Sequence, residues 1–232
     1  MKTIISEKNS LYVKAAEQIA ALLRRKPDAV LALSAEREML PLYARLAELC
    51  RMGELSMEKA RLLALAEFVA YDGLAFCRSV LEKNLVLPCA VKGENFFSPS
   101  AEAPGEYDAL IKELGGLDLA LVDIGEKGQL GFNEPSTPFA SATRIQKLSE
   151  GARLCRAVDF GTADKVPESA VTMGIKTITD AKEILLIAVG AEKAQAVYKM
   201  LYGRNDSVVP AAFLQIPLNV NIYLDEEASS EL

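Results

Sequence analysis

The run Ile184-Leu185-Leu186-Ile187-Ala188-Val189 constrains this chain more than any other stretch. Six apolar residues stopped by Gly190 have the length of a strand, and with no alternating polar residue such a strand must be covered on both faces. Ala29-Val30-Leu31-Ala32-Leu33, Leu117-Asp118-Leu119-Ala120-Leu121-Val122 and Val220-Asn221-Ile222-Tyr223-Leu224 read the same way. Leu62-Leu63-Ala64-Leu65 suits a strand or a helix, because Ala and Leu favour the latter. Between these runs lie segments of helical length. Lys8 to Arg25 puts Ala15, Ile19, Leu22 and Leu23 on one face, Glu38 to Cys50 carries Leu40, Tyr43, Leu46 and Leu49, and Ala191 to Tyr202 follows the Ile184 run directly. Strand–helix alternation predicts an α/β fold of βαβ units around a parallel sheet. Ligands of such sheets bind beyond the carboxyl ends of the strands, so a site is expected just after Leu33, Val122 and Val189.

No boundary or repeat divides the 232 residues, which are read as one domain, 1–232. A net charge of −6 argues against a nucleic-acid partner and supplies no basic patch for a membrane. The first residues, Met1 to Glu7, contain no signal-peptide core, and a cytoplasmic protein is expected. Cys50, Cys77, Cys89 and Cys155 form no CxxC pair, and there is no histidine to join them, so no metal or cofactor is expected and the thiols read as free. The absence of histidine also removes every mechanism that needs an imidazole. Asn95 to Gly105 is rich in Ser, Pro and Gly and reads as a surface loop, and Asp225-Glu226-Glu227 through Glu231 as a solvated tail.

The most informative segment follows the Leu117 run: Asp123-Ile124-Gly125-Glu126-Lys127-Gly128-Gln129-Leu130-Gly131-Phe132-Asn133-Glu134-Pro135. Its glycines permit tight turns and close backbone approach. Gly131-Phe132-Asn133-Glu134-Pro135, followed by Ser136, Ala140-Ser141 and Thr143-Arg144-Ile145, resembles the glucosamine-6-phosphate deaminase (isomerase) family, a relative of the 6-phosphogluconolactonases. Val166-Pro167, Ala170 to Gly174, Asp180-Ala181, Gly190-Ala191-Glu192-Lys193-Ala194 and Phe213-Leu214-Gln215 extend the resemblance over nearly the whole chain, with small deletions near residues 70–85 and 158–166. The resemblance implies a Rossmann-like three-layer sandwich with a mostly parallel central sheet. In active members it also implies ring opening of an amino-sugar phosphate, proton transfer between C1 and C2, and release of ammonia. That chemistry uses a base over C2, a histidine for ring opening, and a backbone nest with cations for the phosphate.

The sequence departs from the pattern at those positions. Against the family's Gly-x-Gly-Asn-Asp-Gly-His, Lys127 replaces an aspartate and Gln129 the histidine, and glutamine cannot shuttle a proton near neutral pH. The family's basic aspartate aligns with Ala66, and the adjacent Glu67 would serve only if the backbone turned. Ala35-Glu36-Arg37-Glu38-Met39 aligns with the phosphate turn. A glutamate about 4 Å from a phosphate charge costs on the order of 4 kcal/mol at an effective dielectric of about 20, which Arg37 would offset in part. Pro217 replaces the histidine after the Leu-Gln signature. Glu134, Lys193 and Arg144 remain at family positions. Two expectations follow. In the first, the chain is a pseudoenzyme that acts by binding a small molecule, such as a sugar derivative, or a protein; a homo-oligomer is left open. In the second, it is an active sugar or sugar-phosphate isomerase or hydrolase with a rebuilt site, in which Glu134, Lys127 and Glu67 are catalytic, with Glu126 beside them, and Lys193, Arg144, Gln129 and Arg37 bind substrate.

Overall fold

The apolar runs become neighbouring strands of one sheet. The computed structural model describes residues 1–69 and 75–232. Its strands, in chain order, are β1 (Lys2–Ile5), β2 (Val30–Leu33), β3 (Arg61–Ala64), β4 (Ala66–Phe68), β5 (Phe96–Phe97), β6 (Leu119–Asp123), β7 (Arg144–Lys147), β8 (Ser169–Thr172), β9 (Ile184–Ala188) and β10 (Val220–Leu224). The helices are α1 (Lys8–Arg25), α2 (Leu40–Arg51), α3 (Phe76–Leu81), α4 (Pro104–Glu113), α5 (Glu150–Phe160), α6 (Ile175–Thr179) and α7 (Ala194–Tyr202). Seven strands make the central sheet in the order β1-β10-β9-β6-β2-β3-β5, with every neighbouring pair parallel.

Strand periodicity assigns the two faces. Leu31 and Leu33 of β2 pack with α1 and α2, while Val30 and Ala32 pack with α4, α6 and α7. This is the three-layer α/β sandwich that the sequence implies. A smaller antiparallel sheet, β4-β8-β7, sits beside it. Phe68, Phe132 and Phe160 share the core of that second sheet with Ala66 and Ala170, and the Phe68 ring meets those of Phe132 and Phe160 edge-on at 5.0 Å. None of the described helices is long and apolar enough to cross a membrane.

Several local expectations change. Leu62 to Ala64 lie in strand β3 (Arg61–Ala64), and Leu65 falls just past its end. A single tight turn, Arg37–Met39, precedes α2, and another, Ala191–Lys193, precedes α7, so both helices start later than their periodicity suggests. Asn95 to Gly105 is not all loop, since Phe96–Phe97 is an edge strand and Pro104 opens α4. The acidic end is not simply solvated. Asp225 is buried and accepts hydrogen bonds from the backbone N–H of Gly190 (3.1 Å) and of Ala228 (2.8 Å), which holds Gly190 at a positive φ of 98°. The shortened stretch near residues 70–85 lies partly outside the described residues.

Asp118 ties the amino ends of the central strands together. Its buried carboxylate accepts from Lys26 Nζ (2.6 Å), Val30 N (2.9 Å) and Lys182 Nζ (2.8 Å). Burial raises its pKa, but the two lysines and the amide outweigh burial and hold it below the usual carboxylate value. Asp118→Ala would leave the buried Val30 N–H unsatisfied, and a loss of about 2 kcal/mol in urea denaturation is expected.

Candidate active site

β2 and β6 lie side by side, yet the chain leaves β2 toward β3 and leaves β6 toward β9, on opposite sides. The gap beyond their carboxyl ends is a topological switch point. A cavity of about 270 Å³ opens there, lined by the 36–38 turn, the loop from Asp123 to Glu134, helix α5 and the turn at Glu192 and Lys193. Asp123, the last residue of β6, is buried and accepts a hydrogen bond from the Ser34 hydroxyl (2.7 Å), which links the two loops.

The cavity gathers some of the residues singled out from the sequence. Lys193, Gln129, Arg37 and Glu134 line it. Lys127 lines the adjoining crevice with Glu134 and Gln129 and is exposed. Gln129 folds back on its own loop, with Oε1 accepting from the Lys127 backbone N–H at 2.9 Å, and a Cβ on Gly125 would lie 2.1 Å from its side chain. Only glycine admits that approach. Glu134 Oε1 accepts from Ser149 N (2.9 Å) at the start of α5.

Two residues lie elsewhere than a catalytic or substrate-binding role requires. Glu67 is turned away from the cavity because β4 is extended, which puts its side chain opposite those of Ala66 and Phe68. Its carboxylate accepts from the backbone N–H groups of Phe68 (2.9 Å), Cys77 (2.9 Å) and Arg78 (2.8 Å), so it anchors the first turn of α3. Arg144 does not line the cavity. Its guanidinium donates to Asn133 Oδ1 (2.8 Å), Gln146 Oε1 (3.0 Å) and Thr137 Oγ1 (3.2 Å). Asn133, fully buried, donates in turn to the carbonyls of Leu130 (2.8 Å) and Met173 (2.7 Å). Arg144 therefore pins the Gly-Phe-Asn-Glu-Pro turn.

The structure adds Arg156, Asp159 and Asp123, which the sequence reading passed over. Arg156 and Asp159 sit one turn apart on α5, a spacing that marks a shared helix face. The Arg156 guanidinium pairs with Glu36, lies 3.5 Å from Asp159, and faces the rings of Phe68 and Phe132 at 5.5 and 5.9 Å. Arg37 pairs with Asp159 and donates to Val158 O (3.0 Å). Lys193 Nζ lies 3.4 Å from Glu38. Among the described residues, Glu36, Glu38 and Asp123 are the group whose spacing could hold a metal ion, with one oxygen from each within 4.8 Å of the others. Two of the three already pair with fixed cations.

These neighbours shift the charges. Burial pushes the Glu36 carboxyl up, Arg156 pulls it down, and Asp123, Glu38 and Asp159 push it up again, to about 7. Burial disfavours charged Lys193, but Glu38, Asp123 and Glu36 outweigh burial and hold its pKa above the usual lysine value. An unfolded glutamate titrates near 4.5, so between 4.5 and about 7 the folded chain holds the extra proton and stability falls as pH rises. That contribution is complete below 4.5 and gone above about 7. Urea midpoints of the wild type should therefore decline across that window relative to Glu36→Gln, which lacks the titration. Parallel profiles would refute the shift. Asn133→Ala should cost about 2 kcal/mol in the same assay, since it removes three buried side-chain hydrogen bonds, to Leu130 O, to Met173 O and from Arg144.

Residues 7–221 match the family described as glucosamine-6-phosphate isomerases/6-phosphogluconolactonase. A glucosamine-6-phosphate deaminase of Streptomyces coelicolor is 37% identical over 226 residues, covering 94% of this chain and 87% of that protein. One from Bacillus pumilus is 34% identical, covering 97% and 96%. The solved structure of a monomeric glucosamine-6-phosphate deaminase superposes with a TM-score of 0.95 at 33% identity over the full length of both chains. The 6-phosphogluconolactonase of Leishmania guyanensis, at 19% identity and a TM-score of 0.77, shares the fold. The chain belongs to the glucosamine-6-phosphate isomerase/6-phosphogluconolactonase family, and it is glucosamine-6-phosphate deaminase-like within it.

Proposed function

We propose that this member of the family does not deaminate glucosamine 6-phosphate and works by holding a small molecule, a sugar derivative, in the cavity between the β2 and β6 loops. The observation that carries the reading is the state of the wall where proton transfer is expected. Ala66 stands at the position of the family's base and is packed into the aromatic core of the second sheet. The one carboxylate beside it, Glu67, is committed to three backbone N–H groups. Gln129, at the position of the family's histidine, is held by its own loop and has no titratable proton. Loss of one acid–base group typically lowers a rate about 10²–10⁴-fold, and here two are replaced.

One observation favours the second reading, an active isomerase or hydrolase with a rebuilt site. Glu36 faces the cavity with its carboxyl raised to about 7, a value suited to general acid–base work. Its ion pair with Arg156 counts against that role, because the carboxylate is already engaged.

The relatives named as deaminases make glucosamine 6-phosphate the substrate to test first. Ammonia and fructose 6-phosphate release should not exceed that of a Glu134→Gln variant at high protein concentration. Turnover that vanishes in the variant would sink the proposal. Turnover that vanishes in Glu36→Gln would move the chemistry to the rebuilt site.

A further inference from the structure

We propose that Glu36 and Glu38 are built-in anions: they fill the anion position of the cavity and make the protein select ligands that carry no phosphate. The inference rests on the reading that this cavity holds the ligand, and it names what that ligand lacks.

The cavity contains two inward cations, Arg156 from α5 and Lys193 from the turn before α7, and both side chains are only 11% exposed. Cations this deep persist only when paired. Both partners come from one short turn, the Glu36–Glu38 stretch that leaves β2 at the carboxyl end of the sheet. The carboxylates keep more contact with solvent than the cations do, 25% for Glu36 and 31% for Glu38, so they stand on the open side of each pair. Arg37, between them, is mostly exposed and is engaged by Asp159. An incoming anion would find both cations occupied. It would also meet Asp123, whose carboxylate oxygen lies within 4.8 Å of those of Glu36 and Glu38.

A purely structural pairing would not need the cavity side. Arg156 already has Asp159, only 6% exposed, as a second carboxylate partner at 3.5 Å. Its buried Nε has no hydrogen-bond partner, so the present carboxylates leave the guanidinium's donors incompletely used. Lys193 retains Asp123 among the charges acting on it. Removing the two glutamates opens the cavity side of both cations while Asp159 still compensates Arg156, and Asp123 alone of the three clustered carboxylates then remains near an incoming anion.

The test is calorimetric titration of the full chain with inorganic phosphate, at a pH above the value of about 7 to which the Glu36 carboxyl is raised, comparing wild type, Glu38→Ala and Glu36→Ala/Glu38→Ala. Thermal melting first establishes that each variant is folded. The single variant alters the more exposed glutamate and keeps the test usable if the double variant does not fold. Phosphate affinity should rise about tenfold in Glu38→Ala and further in the double variant, with little or no saturable binding by the wild type. Wild-type binding as tight as that of the variants would overturn the inference, as would a folded variant that gains none. The titration involves no turnover. Phosphate binding by an inactive wild type would therefore remove the built-in anions and leave the proposed function standing. Deamination by the wild type would remove both, because glucosamine 6-phosphate is itself a phosphate ester, whereas phosphate binding without turnover removes the inference alone.

Discussion

Everything at the site depends on β2 and β6 being neighbours whose connections depart in opposite directions. No crossover covers the gap above them, so the loops after Leu33 and after Asp123 face each other across open space. The Ser34–Asp123 hydrogen bond closes the floor of that space and fixes a negative charge there. Tyr43, buried on α2, donates to the Ser34 carbonyl and braces the same corner from the helix layer. With Asp123 fixed and buried, the surrounding elements must bring positive charge close, and α5 and the turn before α7 supply Arg156 and Lys193.

The cavity is lined by seven carboxylates and three cations, an imbalance that would be untenable if every group were buried alone. Three features hold it together. Glu36 and Glu38 are paired with cations from two other elements, so the pairs join β2, α5 and α7 across the opening. Asp159 is shared between Arg37 and Arg156. Glu36 takes up the remaining strain as a raised pKa, which means that part of the negative charge is absent below neutral pH. The same crowding that weakens one carboxylate strengthens the cations, whose protonated forms are favoured by every neighbour except burial itself.

Four strands of the central sheet, β2, β6, β9 and β10, were legible as nearly unbroken apolar runs, while β1 is a largely exposed edge strand and β5 has two residues. α1 runs over the same residues, Lys8–Arg25, that its apolar face marks. The second sheet was not legible, since β4 has three residues, and β7 (Arg144-Ile145-Gln146-Lys147) and β8 (Ser169-Ala170-Val171-Thr172) lack the continuous apolar run that marks the equally short β2. Asp225 was misread because a charge run looks the same whether its first member is solvated or receives backbone N–H groups from a distant turn. Glu67 illustrates the converse limit. The occupation of its carboxylate by the amides of Cys77 and Arg78 is a tertiary fact with no local signal. Arg156 left a fainter trace, a cation one helical turn before Asp159.

The contrast between what is kept and what is changed separates scaffold from chemistry. Asn133 is satisfied through Leu130, Met173 and Arg144, so the turn that carries it is fixed to the second sheet by its own hydrogen bonds. A Cβ on Gly131 would come within 2.8 Å of the Leu65 side chain, and its φ of 55° is one that glycine adopts without strain. These residues would be required whatever the cavity does, because they seat the long loop after β6 against β8. Lys127, Gln129, Glu36 and Glu38 have no such duty to the backbone elsewhere. They line the cavity or its adjoining crevice. The shape of the turn is thus fixed independently of the groups that the cavity presents, which separates the scaffold from the chemistry it carries.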